Sequence, residues 1–164
     1  MLLYKNELGY LKGCIRAGMI PYIKRPDGIY FLMGVDMKTK EFSDFGGGIK
    51  NNETPIQAAL RELHEETRQL LTDIGEIKLG IYDRHNSTCV IFCEIDSSLF
   101  NTLPQTFLDT TKVGDEYNEM SELVFLSTER MITLVYSENS KMWSRIRFAL
   151  KNTGEFDDRL LRQL

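Results

Sequence analysis

Three consecutive glycines, Gly46-Gly47-Gly48, stand just ahead of the strongest helix signal in the chain. Glycine loses more backbone freedom on ordering than any other residue, so the run predicts a loop rather than the interior of a regular element. The helix beyond it is announced by its start. Thr54 is a good N-cap, Pro55 suits the first helical position, and Gln57 completes a Thr-x-x-Gln capping box. From Pro55 to about Leu70, the residues Ile56, Ala59, Leu60, Leu63 and Leu70 fall on one side of a helical wheel. That apolar side predicts packing on a sheet.

The rest of the chain supplies the sheet. Residues 14–24 read as a strand in which Ile15, Ala17 and Met19 alternate with other residues. Pro26-Asp27-Gly28 is a turn signal, and 29–35 reads as the returning strand of a hairpin. Residues 41–45 lead into the glycines. Strands are predicted at 77–82, 88–95 and, shorter, 122–126. The stretch 97–111 is mixed, with Pro104 expected to break any helix that starts there. Helices close the chain at 127–136, capped by Ser127, and at 141–151, with a short helical turn over 156–164. This order predicts an α/β (α+β) fold, a mixed central sheet covered by helices. A length of 164 residues and a mass of 19.0 kDa fit a single domain over 1–164, with the helices from about 127 as part of it.

Charge and cysteine usage exclude several classes. With 42% hydrophobic and 27% charged residues the chain is not of the disordered or collagen-like kind. A net charge of −4 argues against a generic basic nucleic-acid coat, though not against a specific nucleotide or RNA substrate. No apolar run has the length of a membrane span, and residues 1–13 do not read as a signal peptide, which predicts a cytoplasmic location. Cys14, Cys89 and Cys93 lack CxxC spacing and read as reduced, small apolar side chains. His64 is followed by Glu65 and Glu66, but Arg68 occupies the position where a metalloprotease motif needs its second histidine. The segment 109–120 echoes a calcium loop, yet Val113 and Met120 are wrong for it.

The central helix carries the chemistry. Glu62, Glu65 and Glu66 share one stripe, because spacings of three and four bring side chains to one face. Like charges so placed destabilise a helix by a few tenths of a kcal/mol per pair. A divalent cation turns that penalty into binding, and clustered hard oxygens suit Mg²⁺ or Mn²⁺. The glycines ahead of the helix let backbone approach a phosphate or a metal.

Gly47-x5-Glu53-x7-Arg61-Glu62-Leu63-x-Glu65-Glu66 resembles the Nudix box, G-x5-E-x7-R-E-U-x-E-E-x-G-U with U a bulky aliphatic residue. Two positions depart from it: Arg68 stands where the family has glycine, and Gln69 where it has an aliphatic residue. The lost glycine predicts a helix that continues past the usual loop, with Leu70 or Leu71 supplying the apolar contact. Ala17-Gly18-Met19-Ile20-Pro21 and Ser43-Asp44-Phe45 look like the usual approach to the box.

The resemblance implies a Nudix-like α/β/α sandwich and a pyrophosphohydrolase. In such an enzyme water attacks phosphorus in a nucleoside diphosphate-linked substrate, with Mg²⁺ or Mn²⁺ as cofactor. It implies Glu65 and Glu66 as main metal ligands, Glu62 as a further ligand or a partner in deprotonating water, and the Gly47 carbonyl facing a metal. Arg61 would orient the glutamates, and Glu53 would pair with Arg61 or join the outer metal shell, at the substrate-binding side of the site. A base or extra ligand from a later loop points to Glu119 first and Glu116 second, Glu116 being grouped with the substrate-binding residues. Tyr22, Tyr30, Phe45, Tyr82, Tyr117 and Trp143 are candidates to stack on a base. Lys141, Arg145, Arg147 and Lys151 make the late helix basic, but Arg145 and Arg147 cannot share a face, which fits a solvated helix better than an RNA track. A small nucleotide is the expected substrate. Capped RNA, in mRNA decapping, and a non-catalytic nucleotide-sensing domain are the alternatives. The oligomeric state is left open.

Overall fold

The computed structural model describes residues 1–110, 114, 119–152, 156 and 159–164. The chain opens with β1 (Leu2–Tyr4) and the one-turn α1 (Lys5–Leu8), neither of which the sequence pattern announces. β2 (Arg16–Arg25) and β3 (Gly28–Asp36) form the predicted hairpin. β4 (Phe42–Ser43) and β5 (Phe45–Gly48) precede α2 (Pro55–Glu66). β6 (Ile77–Asp83) and β7 (Thr88–Glu94) follow, then a 3-10 turn and α3 (Leu103–Asp109). β8 (Met120–Ser127), α4 (Thr128–Tyr136), α5 (Ser144–Asn152) and α6 (Arg159–Gln163) complete the described chain.

The strands run in the order β1-β6-β7-β2-β3-β4, with β5 also on β2 and β8 also on β3. β2 pairs β7 in parallel and β3 and β5 antiparallel, so the sheet is mixed. Alternation along each strand splits the apolar residues between two cores. Ala17, Met19, Cys89, Ile91 and Cys93 face α2 and α3, where Ala58, Ala59, Leu63 and Phe107 meet them. Ile20, Val90 and Phe92 face the opposite way, against Met131 of α4, Ile146 of α5 and Leu160 of α6. The result is the expected α/β/α sandwich. Pro21 lies between the β5 ladder, which ends at Met19, and the β3 ladder, which starts at Tyr22. Its missing N–H therefore costs the sheet little there. All three cysteines are free thiols. Among the described residues no helix is long and apolar enough to cross a membrane.

Four expectations need correction. The glycine run is not a loop: Gly46, Gly47 and Gly48 are strand residues opposite Gly18, Ala17 and Arg16. None of the three has a positive φ, so space rather than backbone freedom selects glycine. A Cβ on Gly46 would lie 2.6 Å from the Gly18 Cα and 2.9 Å from the Ala17 carbonyl oxygen. A Cβ on Gly47 would run into the Glu62 carboxylate, with Cδ at 2.6 Å. Second, α2 does not continue to Leu70. It stops at Glu66, and Arg68 and Gln69 take φ of 53° and 64°. The left-handed exit survives although the glycine does not, and the buried Leu71 supplies the apolar contact. Third, Pro104 does not break a helix but sits in the first turn of α3, where its missing N–H is no loss. The last long helix also starts later than expected, because Phe42 and Met142 form a β-bridge that holds 141–143 extended.

The helix start is as read: Gln57 N donates to Thr54 Oγ1 at 3.2 Å, and Thr54 N to Gln57 Oε1 at 2.9 Å. Replacing Gly46 by alanine should destabilise the chain by about 1–3 kcal/mol, since two of the colliding atoms are backbone and the third is the Arg16 guanidinium held by Asp44. Gly48→Ala meets nothing within 4 Å and should stay within about 0.5 kcal/mol of the parent. Urea unfolding of the two variants checks the contrast; equal losses would refute the crowding at Gly46.

Candidate active site

α2 presents its acidic stripe beside β5, and Arg61 stands at the centre of it. Arg61 Nε and Nη2 grip the Glu53 carboxylate at 2.8 and 3.0 Å. Nη1 donates to Glu62 Oε1 at 2.7 Å and lies 3.7 Å from Glu65 Oε1. Nη2 also reaches the Gly48 carbonyl at 3.1 Å. One guanidinium therefore ties α2 to β5 and to the segment between them through charge-assisted bonds. Its hydrogen bonds hold Glu53 down to about 2. Glu62 moves the other way: burial raises it, with the Arg61 bond opposing.

Glu66 differs from its neighbours. It is 2% exposed, and its Oε2 is buried without a hydrogen-bond partner among the described residues. Burial pushes its pKa well above the usual carboxylate range, and the carboxylates of Asp44, Glu119 and Glu62 push it further, against Arg16. Glu66 and Glu119 line a cavity of about 480 Å³ together with Arg16, Asp44, Trp143 and Arg145. Among the described residues no group of three or more His, Cys, Asp or Glu side chains is arranged as it stands to hold a metal ion. Glu62 is instead paired with Arg61, and Glu65 lies at longer range from the same guanidinium. The donors are nonetheless all hard oxygens around an orphaned buried carboxylate oxygen, a set that fits a divalent cation.

The glycine strand adds a backbone donor. Arg16 N–H bonds Ser87 and the Tyr22 carbonyl bonds Ile95, so the even residues of β2 face the β7 side. Ala17 therefore faces β5, and its partner Gly47 turns its own N–H and C=O toward β2. The carbonyls of Gly46 and Gly48 point the other way, as the bond from Arg61 to Gly48 shows. The Gly47 carbonyl, expected to face a metal, is turned into the β2–β5 ladder, and the Gly46 carbonyl points to the carboxylate side. Glu116 and Tyr117 lie outside the described residues.

Sequence reasoning assigned no role to Arg16 or Asp44. Arg16 Nη1 and Nη2 donate to Asp44 at 2.9 and 2.7 Å, with Asp44 fully buried. Ser43 Oγ adds a bond to Asp44 at 3.2 Å. The Arg16 guanidinium carbon stands 4.9 Å from the centre of the Trp143 ring, and that of Arg145 5.7 Å from it. Arg16 and Asp44 share no local spacing; only the β2–β5 ladder joins them. Of the stacking candidates, Tyr22, Phe45 and Tyr82 are buried in the cores, and Tyr30 packs on Phe100. Trp143 lines the cavity.

A family model described as the NUDIX domain matches residues 22–140, most of the chain. An Ap4A hydrolase from C. elegans, solved as a binary complex, has the same fold with a TM-score of 0.54 at 16% identity, covering 86% of this chain and 96% of that one. A mutT/nudix family protein from Listeria innocua has a TM-score of 0.51 at 20% identity, covering 90% and 96%. The Nudix hydrolase RenU from M. smegmatis has a TM-score of 0.51 at 16% identity, covering 84% and 85%. At these identities the likeness is one of fold. No curated protein matches the chain. The family match extends over most of the chain and includes every charged position of the box, and the chain belongs to the Nudix family of pyrophosphohydrolases.

Proposed function

We propose that this chain hydrolyses a diphosphate linkage in a nucleoside diphosphate-linked substrate, with Mg²⁺ or Mn²⁺ held by Glu62, Glu65, Glu66 and the Gly46 carbonyl. The observation that carries this is Glu66: a buried carboxylate oxygen without a partner among the described residues, in a cavity beside other carboxylates. Such a group is costly unless a cation completes it. When bound, a divalent cation neutralises the diphosphate and makes water easier to deprotonate. Arg61, fixed by Glu53, orients Glu62 and Glu65. Glu119, exposed at the cavity mouth, accepts the proton of the attacking water. Trp143 and Arg145 form the wall against which the rest of the substrate lies, a flat ring beside a cation that suits a base and a phosphate. A cavity of this size suits a small nucleotide. Residues 1–164 act as one domain, supported by the core that joins α4, α5 and α6 to the sheet.

Glu66→Gln should separate stability from activity. In the metal-free wild type, the folded chain holds the Glu66 proton to higher pH than the unfolded chain does. Stability should therefore fall as pH rises from the ordinary carboxylate range through the raised value of Glu66. The glutamine removes that slope and should gain about 1–3 kcal/mol at neutral pH in chelator, while turnover falls about 100-fold or more. Thermal unfolding in chelator across pH, with parallel assays, measures both. Curves that stay parallel with pH would refute the burial cost.

A panel of nucleoside triphosphates, nucleotide sugars, ADP-ribose, dinucleoside polyphosphates and capped RNA, assayed with Mg²⁺ or Mn²⁺, tests the reaction. Mass spectrometry should show cleavage between two phosphates, lost about 100-fold or more in Glu65→Gln. Unchanged activity in that variant would remove the assigned site. Binding without turnover of any substrate would make the chain a sensor, and capped RNA cleaved far better than all small nucleotides would make it a decapping enzyme.

A further inference from the structure

Arg68 occupies the box position where the family has glycine, and it keeps the left-handed backbone that glycine would adopt without strain. A side chain retained there at such a cost needs contacts that offset it. Arg68 is 6% exposed, and among the described residues no carboxylate pairs with it. Its guanidinium instead collects backbone carbonyls. Nη1 donates to Phe107 at 2.8 Å and Thr110 at 3.4 Å, and Nη2 donates to Met120 at 3.3 Å. The plane also rests on the Phe107 ring, 3.9 Å from its centre.

These carbonyls belong to two separate elements. Phe107 and Thr110 end α3, where the last carbonyls carry partial negative charge that favours a cation. Met120 begins β8 and follows Glu119 in the chain. Arg68 itself leaves α2 two residues after Glu66. One side chain thus spans the exit of α2, the end of α3 and the start of β8. The Glu119 carbonyl is held from the other side by Met37 N–H at 2.8 Å. Glu119 and Glu66 line the same cavity, and the Glu119 charge acts on both Glu62 and Glu66.

We propose that Arg68 is a positioning residue for the hydrolysis: by bracing Met120 against α3 and the end of α2, it sets the placement of Glu119 relative to Glu66. This rests on Glu119 as the proton acceptor in the proposed reaction. A glycine at this position could give the helix its exit but could not reach β8. The brace is formed by this chain's departure from the family pattern.

The test is a cycle of Arg68→Gly, Glu119→Gln and the double variant, assayed with the nucleotide substrate found by the panel. Arg68→Gly keeps a residue that tolerates the backbone angle, so the fold should persist by circular dichroism. Its kcat should fall about tenfold with KM nearly unchanged, the loss expected when a reacting group is misplaced. Adding Arg68→Gly to Glu119→Gln should cost nothing more. Arg68→Lys, which keeps the cation and most of its reach, serves if the glycine variant does not fold, and should recover part of the rate. Glu119→Gln at the wild-type rate would overturn both the role of Glu119 and the proposal. A slow Glu119→Gln with additive losses in the double variant, or with both Arg68→Gly and Arg68→Lys at the wild-type rate, would overturn the role of Arg68 alone.

Discussion

The approach of β5 to β2 at Gly46 and Gly18 is the constraint on which the site depends. With no side chain on either residue, two backbones and a buried ion pair fit into a layer that one methyl group would overfill. The same lack of a side chain at Gly47 lets α2 settle so closely that Glu62 lies against the strand. Arg61 can then reach the Gly48 carbonyl and Glu53 at once. Carboxylates on a helix, a carbonyl edge on a strand and a cavity between them all follow from that one contact distance.

Two guanidiniums divide the charges of this layer. Arg16 is committed to Asp44 in a bidentate pair under Trp143, and Arg61 gathers Glu53, Glu62 and Glu65. Glu66 has neither, and its buried oxygen is left without a donor. An ordinary packing solution would give such an oxygen a partner. Its isolation beside a cavity is the observation that favours the proposed binding arrangement over an acidic helix face that is merely solvated.

The sequence made the acidic stripe and the hairpin legible because both depend on local period: every third or fourth residue on α2, every second on β2. It also exposed the helix start, since Thr54 and Gln57 are three apart. The glycine strand was misread because backbone entropy argues for a loop, while the actual reason is an approach of two chains that no local rule encodes. Arg68 was misread in a related way. Losing glycine suggests a longer helix, whereas the left-handed exit is kept by carbonyls at Phe107, Thr110 and Met120, far along the chain. Arg16 and Asp44 have no spacing to betray them, because separate segments bring them together; Trp143 stood among the stacking candidates, but nothing local set it apart from the buried Tyr22, Phe45 and Tyr82.

The bridge between Phe42 and Met142 separates two properties of the protein. Phe42 N–H bonds the Lys141 carbonyl at 2.7 Å, and Trp143 N–H bonds the Phe42 carbonyl at 2.8 Å. These attachments use main chain only, so they hold whatever side chains the segment carries. In the proposed reaction the metal-holding groups sit on β5 and α2 and the proton acceptor Glu119 just before β8, while the cavity wall at Trp143 and Arg145 is hung on the sheet by this backbone staple. The side chains at Trp143 and Arg145 can therefore be exchanged without loosening the segment that carries them.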